Sequence, residues 1–426
     1  MPGIVAFPTI VEQAVLQFGD IFANEPERRH FAEYLTGLLV AAKKNVSGIN
    51  AEFAETTDQS CLNRWITEVA WDAEELNRQR LAWLQENPQT RYAPGGVIPI
   101  DNTLVDHDGK LIEDVGWYGD HAGQRDKLAH DYLIANYVCP SGKHYALEFR
   151  RFRKREACEA KHAELEARPG EFAGASPEAQ RLATFKTHTI LCNELVDWVV
   201  AENIPGTFAF DSYFTNAPIC NHINRLKRSY VGDLKFNRHG WFQGREMRVD
   251  EIGAQLPPES RKKITQGERT QWYFTRTIRL KDVDHPVRIV ILWPYWNSTE
   301  PKKILVTNRP DWEITRVLRG YGQRWTGTET LHRDGKQHLG LGDCQLRSGE
   351  GQTRHLYLVL LTHSLLMAQL RQGRVNAWAH ETLMTIGEAC RAVLRETLGA
   401  TITWALERAT LDNWEPARIL THLKLA

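Results

Sequence analysis

Two short apolar runs, VIPI and TFAF, each lead directly into an aspartate, Asp101 and Asp211, 110 positions apart. Apolar runs of this length bounded by turn chemistry read as buried strands, so each acid is expected on or just past the end of a strand. The first run is followed by NTLVDHDGK, which carries turn residues. HDYLIANYV and HYALEF then read as a hairpin, Tyr132 to Val138 and His144 to Phe149, joined by Pro140-Ser141-Gly142. Three strands with an acid on the first, and a fourth strand with an acid at its end, confine residues 94–236 to an α/β arrangement.

On either side the hydrophobic period is different. Residues 1–93 are helical: Phe31, Tyr34, Leu35, Leu38 and Leu39 form one stripe, Leu62, Trp65, Ile66 and Val69 a second, and Leu76, Trp83 and Leu84 a third. Trp71-Asp72 marks a turn, and YAPGGVI closes the region. It is either a plain helical bundle or a DNA-binding domain; its cations, among them Arg28, Arg29, Lys43, Lys44, Arg78 and Arg80, do not cluster as on a recognition helix. The basic run from Arg150 to Arg155 is a solvated segment or a phosphate contact. A loop is expected over 159–176. A helix capped by Ser176 with Pro177 at its first position is then expected to run on through LATFKTHTILCNELVDWVVAEN, with NAPICNHINRLKR as a further helix and SYVGDLKF as a strand.

Residues 237–309 alternate β-rich runs such as QWYFTRTIRL and PVRIVILWPYW with charged turns, and are expected to form a β-rich insertion. Trp293, Tyr295 and Trp296 in it are either core aromatics or faces on which an unpaired base stacks. Helical periodicity resumes at Asp311. Residues 310–350 complete the α/β core, and 351–426 form a helical C-terminal region suited to dimer or DNA contacts. GQTRHLYLVLLTHSLLMAQLRQ within it is interrupted by His, Thr and Ser, so it is expected as a buried helix, not a membrane span.

The 426 residues allow two or three domains, and 53 Lys plus Arg against 53 Asp plus Glu leave no global pull toward nucleic acid or membrane. Any polyanion site must be local. Seven scattered cysteines, with no C-x-x-C, argue against a disulfide framework or a zinc site. With no basic n-region and apolar core at the N-terminus, a cytoplasmic protein is expected. His107, His121 and His130 fit no standard zinc spacing.

The densest chemistry lies from Tyr321 to Arg347, YGQRWTGTETLHRDGKQHLGLGDCQLR. Glu329 and Lys336 are seven residues apart, which at about 100° per residue returns them to nearly one helix face. A carboxylate for a hard metal, flanked by Lys, Arg and Tyr for phosphates, suits metal-assisted phosphoryl transfer on a polyanion. Thr326 and Glu329 equally fit an S/T-x-x-E capping box, in which Glu only starts a helix.

With Asp101, Asp211 and Glu329 in this order, the chain resembles DDE transposases of bacterial insertion sequences, those with a Tyr-x2-Arg-x3-Glu-x6-Lys (YREK-type) signature and a β-strand insertion before the last acid. GTETLHRDGKQHLGLGDCQLRSGEGQTRH and FAEYLTGLL resemble the insertion-sequence-701-like group of the insertion-sequence-4 superfamily. The resemblance implies a ribonuclease H-like catalytic core, with Asp101, Asp211 and Glu329 holding two Mg2+ ions, or Mn2+ as a substitute. It implies that Tyr321, Arg324 and Lys336 grip the DNA strand end; Trp293 and Trp296, read from the β-rich segment itself, are the candidate base contacts beside them. The implied activity is cleavage at terminal inverted repeats and strand transfer into target DNA, by a homodimer on DNA, in the bacterial cytoplasm at the nucleoid. A catalytically silent DNA-binding derivative and a general nuclease on the same fold are the alternatives. One departure stands out: four residues, Trp325 to Thr328, separate Arg324 from Glu329 where the signature has three. Asp106, Asp108 and Asp334 are rival acids; Asp101 is preferred because it directly ends the apolar run.

Overall fold

The computed structural model describes residues 3–120, 125–166, 177–371, 378–379 and 381–426. These divide into two compact units, one of residues 1–91, 104–130 and 331–426, the other of 92–103 and 131–330.

The first unit begins with α1 (Thr9–Phe18), α2 (Glu25–Val40), α3 (Val46–Ala51), α4 (Gln59–Thr67) and α5 (Ala73–Glu86). Their starts are written locally. Asn24, Asn45, Asp58 and Asp72 each accept a backbone N–H of the first turn that the helix itself leaves unpaired. Most of the expected stripe residues are buried, Phe31, Tyr34, Leu35, Leu38 and Leu39 on α2, Leu62, Trp65 and Ile66 on α4, Leu76 and Leu84 on α5; Val69, past the end of α4, and Trp83 are half-buried. Arg80 is buried too, its guanidinium donating to Asn77 Oδ1 and Ser364 Oγ, so it is not a surface cation.

The chain then enters a mixed sheet through β1 (Val97–Asp106), β2 (Gly116–Asp120), β3 (Arg125–Val138) and β4 (His144–Phe152). β3 and β4 are the expected hairpin, and Gly142 at its turn has φ 87°, a left-handed value that favours glycine. Next come α6 (Arg155–Glu166), α7 (Pro177–Ala183) and α8 (His188–Ala201). Two expectations are corrected here. Half of the expected 159–176 loop is helical, because REACEAKHAELE is rich in helix formers and carries Lys161–Glu164 and His162–Glu166 pairs; 167–176, including the expected cap Ser176, lies outside the described residues. The helix expected to run from Pro177 onward is two helices, since the Thr187 side chain accepts the Ile190 N–H and caps a new start at His188.

β5 (Thr207–Phe210), α9 (Ala217–Arg225) and β6 (Ser229–Asp233) follow, and β1, β5 and β6 pair in parallel. The β-rich segment contributes β7 (His239–Phe242), β8 (Arg245–Arg248), α10 (Val249–Gln255), β9 (Lys262–Gln266), β10 (Arg269–Leu280), β11 (Val287–Trp293) and β12 (Lys303–Thr307). It continues the sheet: β12 pairs antiparallel with β6, then β11 and β10 follow. A bare edge at β6 would expose unpaired backbone groups, and β12 covers it. Among the described strands the order is β4-β3-β1-β5-β6-β12-β11-β10, with β9 and the β7–β8 hairpin on β10 and β2 on the N-terminal end of β3.

α11 (Ile314–Trp325) lays Ile314, Val317 and Leu318 on one face of this sheet, against Val97, Ala209 and Val231. A π-helical turn, Thr326–Thr330, follows it directly. The first unit is completed by α12 (Leu331–His338), α13 (Gly349–Gln369), α14 (Ile386–Thr410) and α15 (Pro416–His422). α13 is buried along nearly its whole length, and among the described residues no helix is long and apolar enough to cross a membrane.

Candidate active site

The register of three parallel strands sets the site. Val97, Ile98 and Pro99 of β1 stand opposite Thr207, Phe208 and Ala209 of β5, a constant offset of 110 positions, which is also the separation of Asp101 and Asp211. Ala209 stands opposite Val231 of β6, and the same offset carries Asp211 to Asp233. Continued two residues past the last of these pairs, strands about 4.8 Å apart therefore bring three aspartates to one level. Side chains alternate along a strand, so Asp101, Asp211 and Asp233 share the face on which Val97, Ala209 and Val231 meet α11.

Each aspartate is held differently. Asp211 Oδ1 accepts the N–H groups of Tyr213 (2.9 Å) and Phe214 (3.0 Å), which fixes the carboxylate over its own turn. Asp233 Oδ2 accepts from Lys303 Nζ (2.8 Å) and from the Tyr321 hydroxyl (3.3 Å), and Lys303 also donates to that hydroxyl (2.8 Å). Burial lowers the Lys303 pKa, but these bonds outweigh it and the net shift is upward. Asp101 accepts the Asn102 N–H (3.0 Å) and an Arg324 Nη1 hydrogen bond of 2.8 Å; both side chains of this ion pair are close to nine-tenths buried. Burial, and then the charge of Asp211, push the Asp101 carboxyl up to about 7; Arg324 and the Asn102 N–H oppose this, and Glu329 adds to it. Among the acids, Asp211 acts on Asp101 more strongly than Glu329 does.

The extra residue between Arg324 and Glu329 lies where the π-helical turn begins. A π-turn takes one more residue than an α-turn, so it absorbs the additional position while α11 runs on without a break. Arg324, just before the turn, reaches Asp101. Gly327 permits the approach: a Cβ there would stand 2.5 Å from Pro99 Cγ and 2.7 Å from Val138 Cγ2. Thr328, buried, returns its hydroxyl to the Arg324 carbonyl (2.9 Å). Thr326 follows α11 directly with helical backbone and opens the π-helical turn, so no helix is started from an extended cap there and the capping-box alternative for Glu329 falls.

Other expected residues are placed as follows. Tyr321 lies beside Arg324, whose guanidinium stands 5.8 Å from the phenol ring centre. Lys336 is exposed on α12, in the first unit. Trp296 is 45% exposed, whereas Trp293 is fully buried with the Arg261 guanidinium 4.2 Å from its ring centre. That placement corrects the expected base contact at Trp293: β11 is buried on both faces at this end, so the side chain lies in the core. His107 and His130 hydrogen-bond to each other (2.9 Å) and do not open toward a ligand; His121 lies outside the described residues. All seven cysteines are free.

Sequence reasoning missed two groups. Asp233 carries the same signal as the other two aspartates, an acid closing the apolar run SYVG. Behind the carboxylates, Asn102 Nδ2 donates to Asp131 Oδ1 (2.9 Å), His188 Nε2 bonds Asp131 Oδ2 (2.8 Å), and the Tyr213 hydroxyl reaches His188 Nδ1 (3.3 Å). No local pattern marks that chain.

A family model for DDE superfamily endonucleases matches residues 17–273, more than half of the chain. The chain belongs to the DDE superfamily of endonucleases. It is thus a transposase-like nuclease whose substrate is DNA, in a superfamily whose nucleases generally use divalent metals. The matched stretch contains Asp101 and Asp211 and ends before Glu329. No curated protein matches the chain.

The donor set fits a hard divalent cation. It consists of carboxylate oxygens, and Asp101 is raised in pKa partly by its acidic neighbours, a repulsion that a cation relieves. Among the described residues no three Asp, Glu, His or Cys side chains converge as a ready ligand cluster; Arg324 supplies the positive charge that Asp101 contacts.

Proposed function

We propose that this endonuclease is a cut-and-paste transposase on a ribonuclease H-like core, with Asp101, Asp211 and Glu329 as its catalytic carboxylates. The observation that supports this is the register of β1 and β5, which brings Asp101 and Asp211 to one level, together with the Arg324–Asp101 ion pair made just before the π-turn that carries Glu329. The strand order β4-β3-β1-β5-β6, with an antiparallel opening and three parallel strands, supports the ribonuclease H-like reading. The π-turn supports membership of the insertion-sequence-701-like group, because it reconciles the spacing here with a Tyr-x2-Arg-x3-Glu-x6-Lys signature.

In this reading Asp101, Asp211 and Glu329 hold two Mg2+ ions, with Mn2+ as a substitute. Bound there, such ions activate the attacking oxygen and stabilise the leaving one. Arg324 and Tyr321 orient the scissile phosphate, Arg324 by the two-pronged contact that guanidinium makes with phosphate oxygens. Lys336 and Trp296 are further DNA contacts. The substrate is the inverted-repeat end of an insertion sequence, cleaved by water to leave a 3′-hydroxyl that then attacks target DNA. The protein works as a homodimer on DNA, in the bacterial cytoplasm.

The test is a cleavage assay on duplexes carrying the inverted repeats that flank the coding region. Wild type should nick at the repeat boundary in Mg2+ and join the released 3′ end to a second duplex. Asp101→Asn, Asp211→Asn and Glu329→Gln should each abolish nicking and retain duplex binding. Cleavage without end preference or joining would make the chain a general nuclease; no cleavage by wild type would make it a silent derivative.

A further inference from the structure

Behind the face that carries the carboxylates, one hydrogen-bonded chain ties together four elements. It starts at Asn102, the residue after Asp101, passes through Asp131 on β3 and His188 at the start of α8, and ends at Tyr213, two residues beyond Asp211. The roles are mutually consistent. Asp131 Oδ2 takes the proton-bearing Nε2 of His188, which leaves Nδ1 to accept from the Tyr213 hydroxyl. Phe152 stacks flat on the imidazole, ring centres 4.0 Å apart and planes within 13°, so the ring cannot turn away from either partner. At the Tyr213 end, the backbone N–H of the same residue donates to Asp211 Oδ1. The chain thus begins one residue from one carboxylate and ends on the N–H that fixes the other.

A half-buried, stacked histidine with both ring nitrogens engaged costs conformational freedom, and the core does not need it: Phe208, Phe210 and Leu195 fill the interior without polar groups. What the chain does supply is rigidity between Asp101, midway along β1, and Asp211, just past β5, beyond the last β1–β5 pair at Pro99 and Ala209. Two oxygen ligands for one divalent cation must be held to within about 0.5 Å.

We infer that Asp131, His188 and Tyr213 form a positioning brace that sets Asp101 and Asp211 at the separation a divalent cation requires, with His188 as its central strut. This rests on the reading of those aspartates as metal-holding residues. His188 touches neither the carboxylates nor any substrate; it is a positioning residue.

The experiment measures Mn2+ binding to the full chain without DNA, by electron paramagnetic resonance, for wild type, His188→Ala, Tyr213→Phe and Asp101→Asn, with melting temperature and duplex affinity recorded alongside. Loss of a partner of this kind lowers metal affinity by about 10–100-fold. His188→Ala should fall in that range and Tyr213→Phe near its lower end, both with duplex affinity unchanged, and excess Mn2+ should restore the bound signal. A merely structural role would move the melting temperature and leave Mn2+ affinity alone. The Tyr213 side chain is 51% exposed, so Tyr213→Phe decides if His188→Ala does not fold. Wild-type Mn2+ affinity in Tyr213→Phe and in any folded His188→Ala, with loss in Asp101→Asn, overturns the brace and leaves the carboxylate reading standing. Absence of Mn2+ binding in wild type, or full binding in Asp101→Asn, overturns both.

Discussion

At the scale of single residues, Asp101 bears two opposing demands: burial beside other acids favours its neutral form, and Arg324 favours its charged one. Its folded-state pKa of about 7 lies above the value near 4 of an unfolded chain. Between those pH values the folded protein holds a proton that the unfolded chain has released, so stability falls as pH rises through this window and does not recover above it. Asparagine cannot ionise. In chelator, the melting temperature of Asp101→Asn should therefore exceed that of wild type increasingly from pH 5 to pH 8, and parallel curves would refute the burial of a strained carboxylate. Arg324→Lys tests the other half of the balance. It keeps a charge but loses the planar fork, and a hydrogen bond between charged groups contributes about 1.5–3 kcal/mol, so DNA cleavage should drop by about 10–100-fold at neutral pH. Equal cleavage rates for the two proteins would remove Arg324 from phosphate orientation.

At the scale of elements, the π-turn decides whether the last acid belongs to the site. A regular α-helix through Trp325 to Thr328 would turn Glu329 by about 100° relative to Arg324 when one residue too many intervenes. Gly327→Ala probes the turn directly: its methyl group would overlap Pro99 and Val138, overpacking that costs about 1–3 kcal/mol and pushes Glu329 away from Asp101. Cleavage should fall at least tenfold, about 1.4 kcal/mol, in a protein that still folds. Gly322→Ala is the control, since nothing lies within 4 Å of its added carbon, and it should keep full activity with slightly higher stability. Equal activity of the two variants would show that the turn does not position Glu329. The same elements show what could be read from the chain. The strands under Asp101 and Asp211 were visible because an apolar run and the acid that closes it are contiguous. The break at Trp71-Asp72 was visible because Asp72 caps the next helix within three residues. The brace was not, because its bonds join residues 57 and 25 positions apart, which no periodicity records. Trp293 and Trp296 looked alike in sequence; in the fold Trp293 ends the buried strand β11, and Trp296 lies in the turn after it.

At the scale of the whole chain, the order of segments conceals how they associate. The helical region before residue 93 and the one after 351 look like separate ends of the sequence, yet both belong to one compact unit, and the backbone passes between the two units four times. Long-range polar contacts make the association specific. The Tyr34 hydroxyl bonds His355 Nδ1 (2.8 Å), Arg80 donates to Ser364 Oγ (2.8 Å), and Arg354 donates to the Trp71 carbonyl (3.1 Å), each pairing α13 with an N-terminal segment. Such bonds are invisible to local pattern because about 300 residues separate the partners. A chain ending at residue 350 would lose α13, uncover the apolar faces of α2 and α5, and leave the Arg80 guanidinium without its Ser364 partner. Removing one partner of a buried charged group costs about 1–3 kcal/mol or more, and the exposed apolar area adds to it. The 1–350 fragment should therefore bind a hydrophobic dye and elute as aggregates, and co-expression with a 351–426 fragment should return it to a soluble complex. A monomeric 1–350 fragment with a single cooperative melt would instead mean that the N-terminal helices form a self-sufficient bundle.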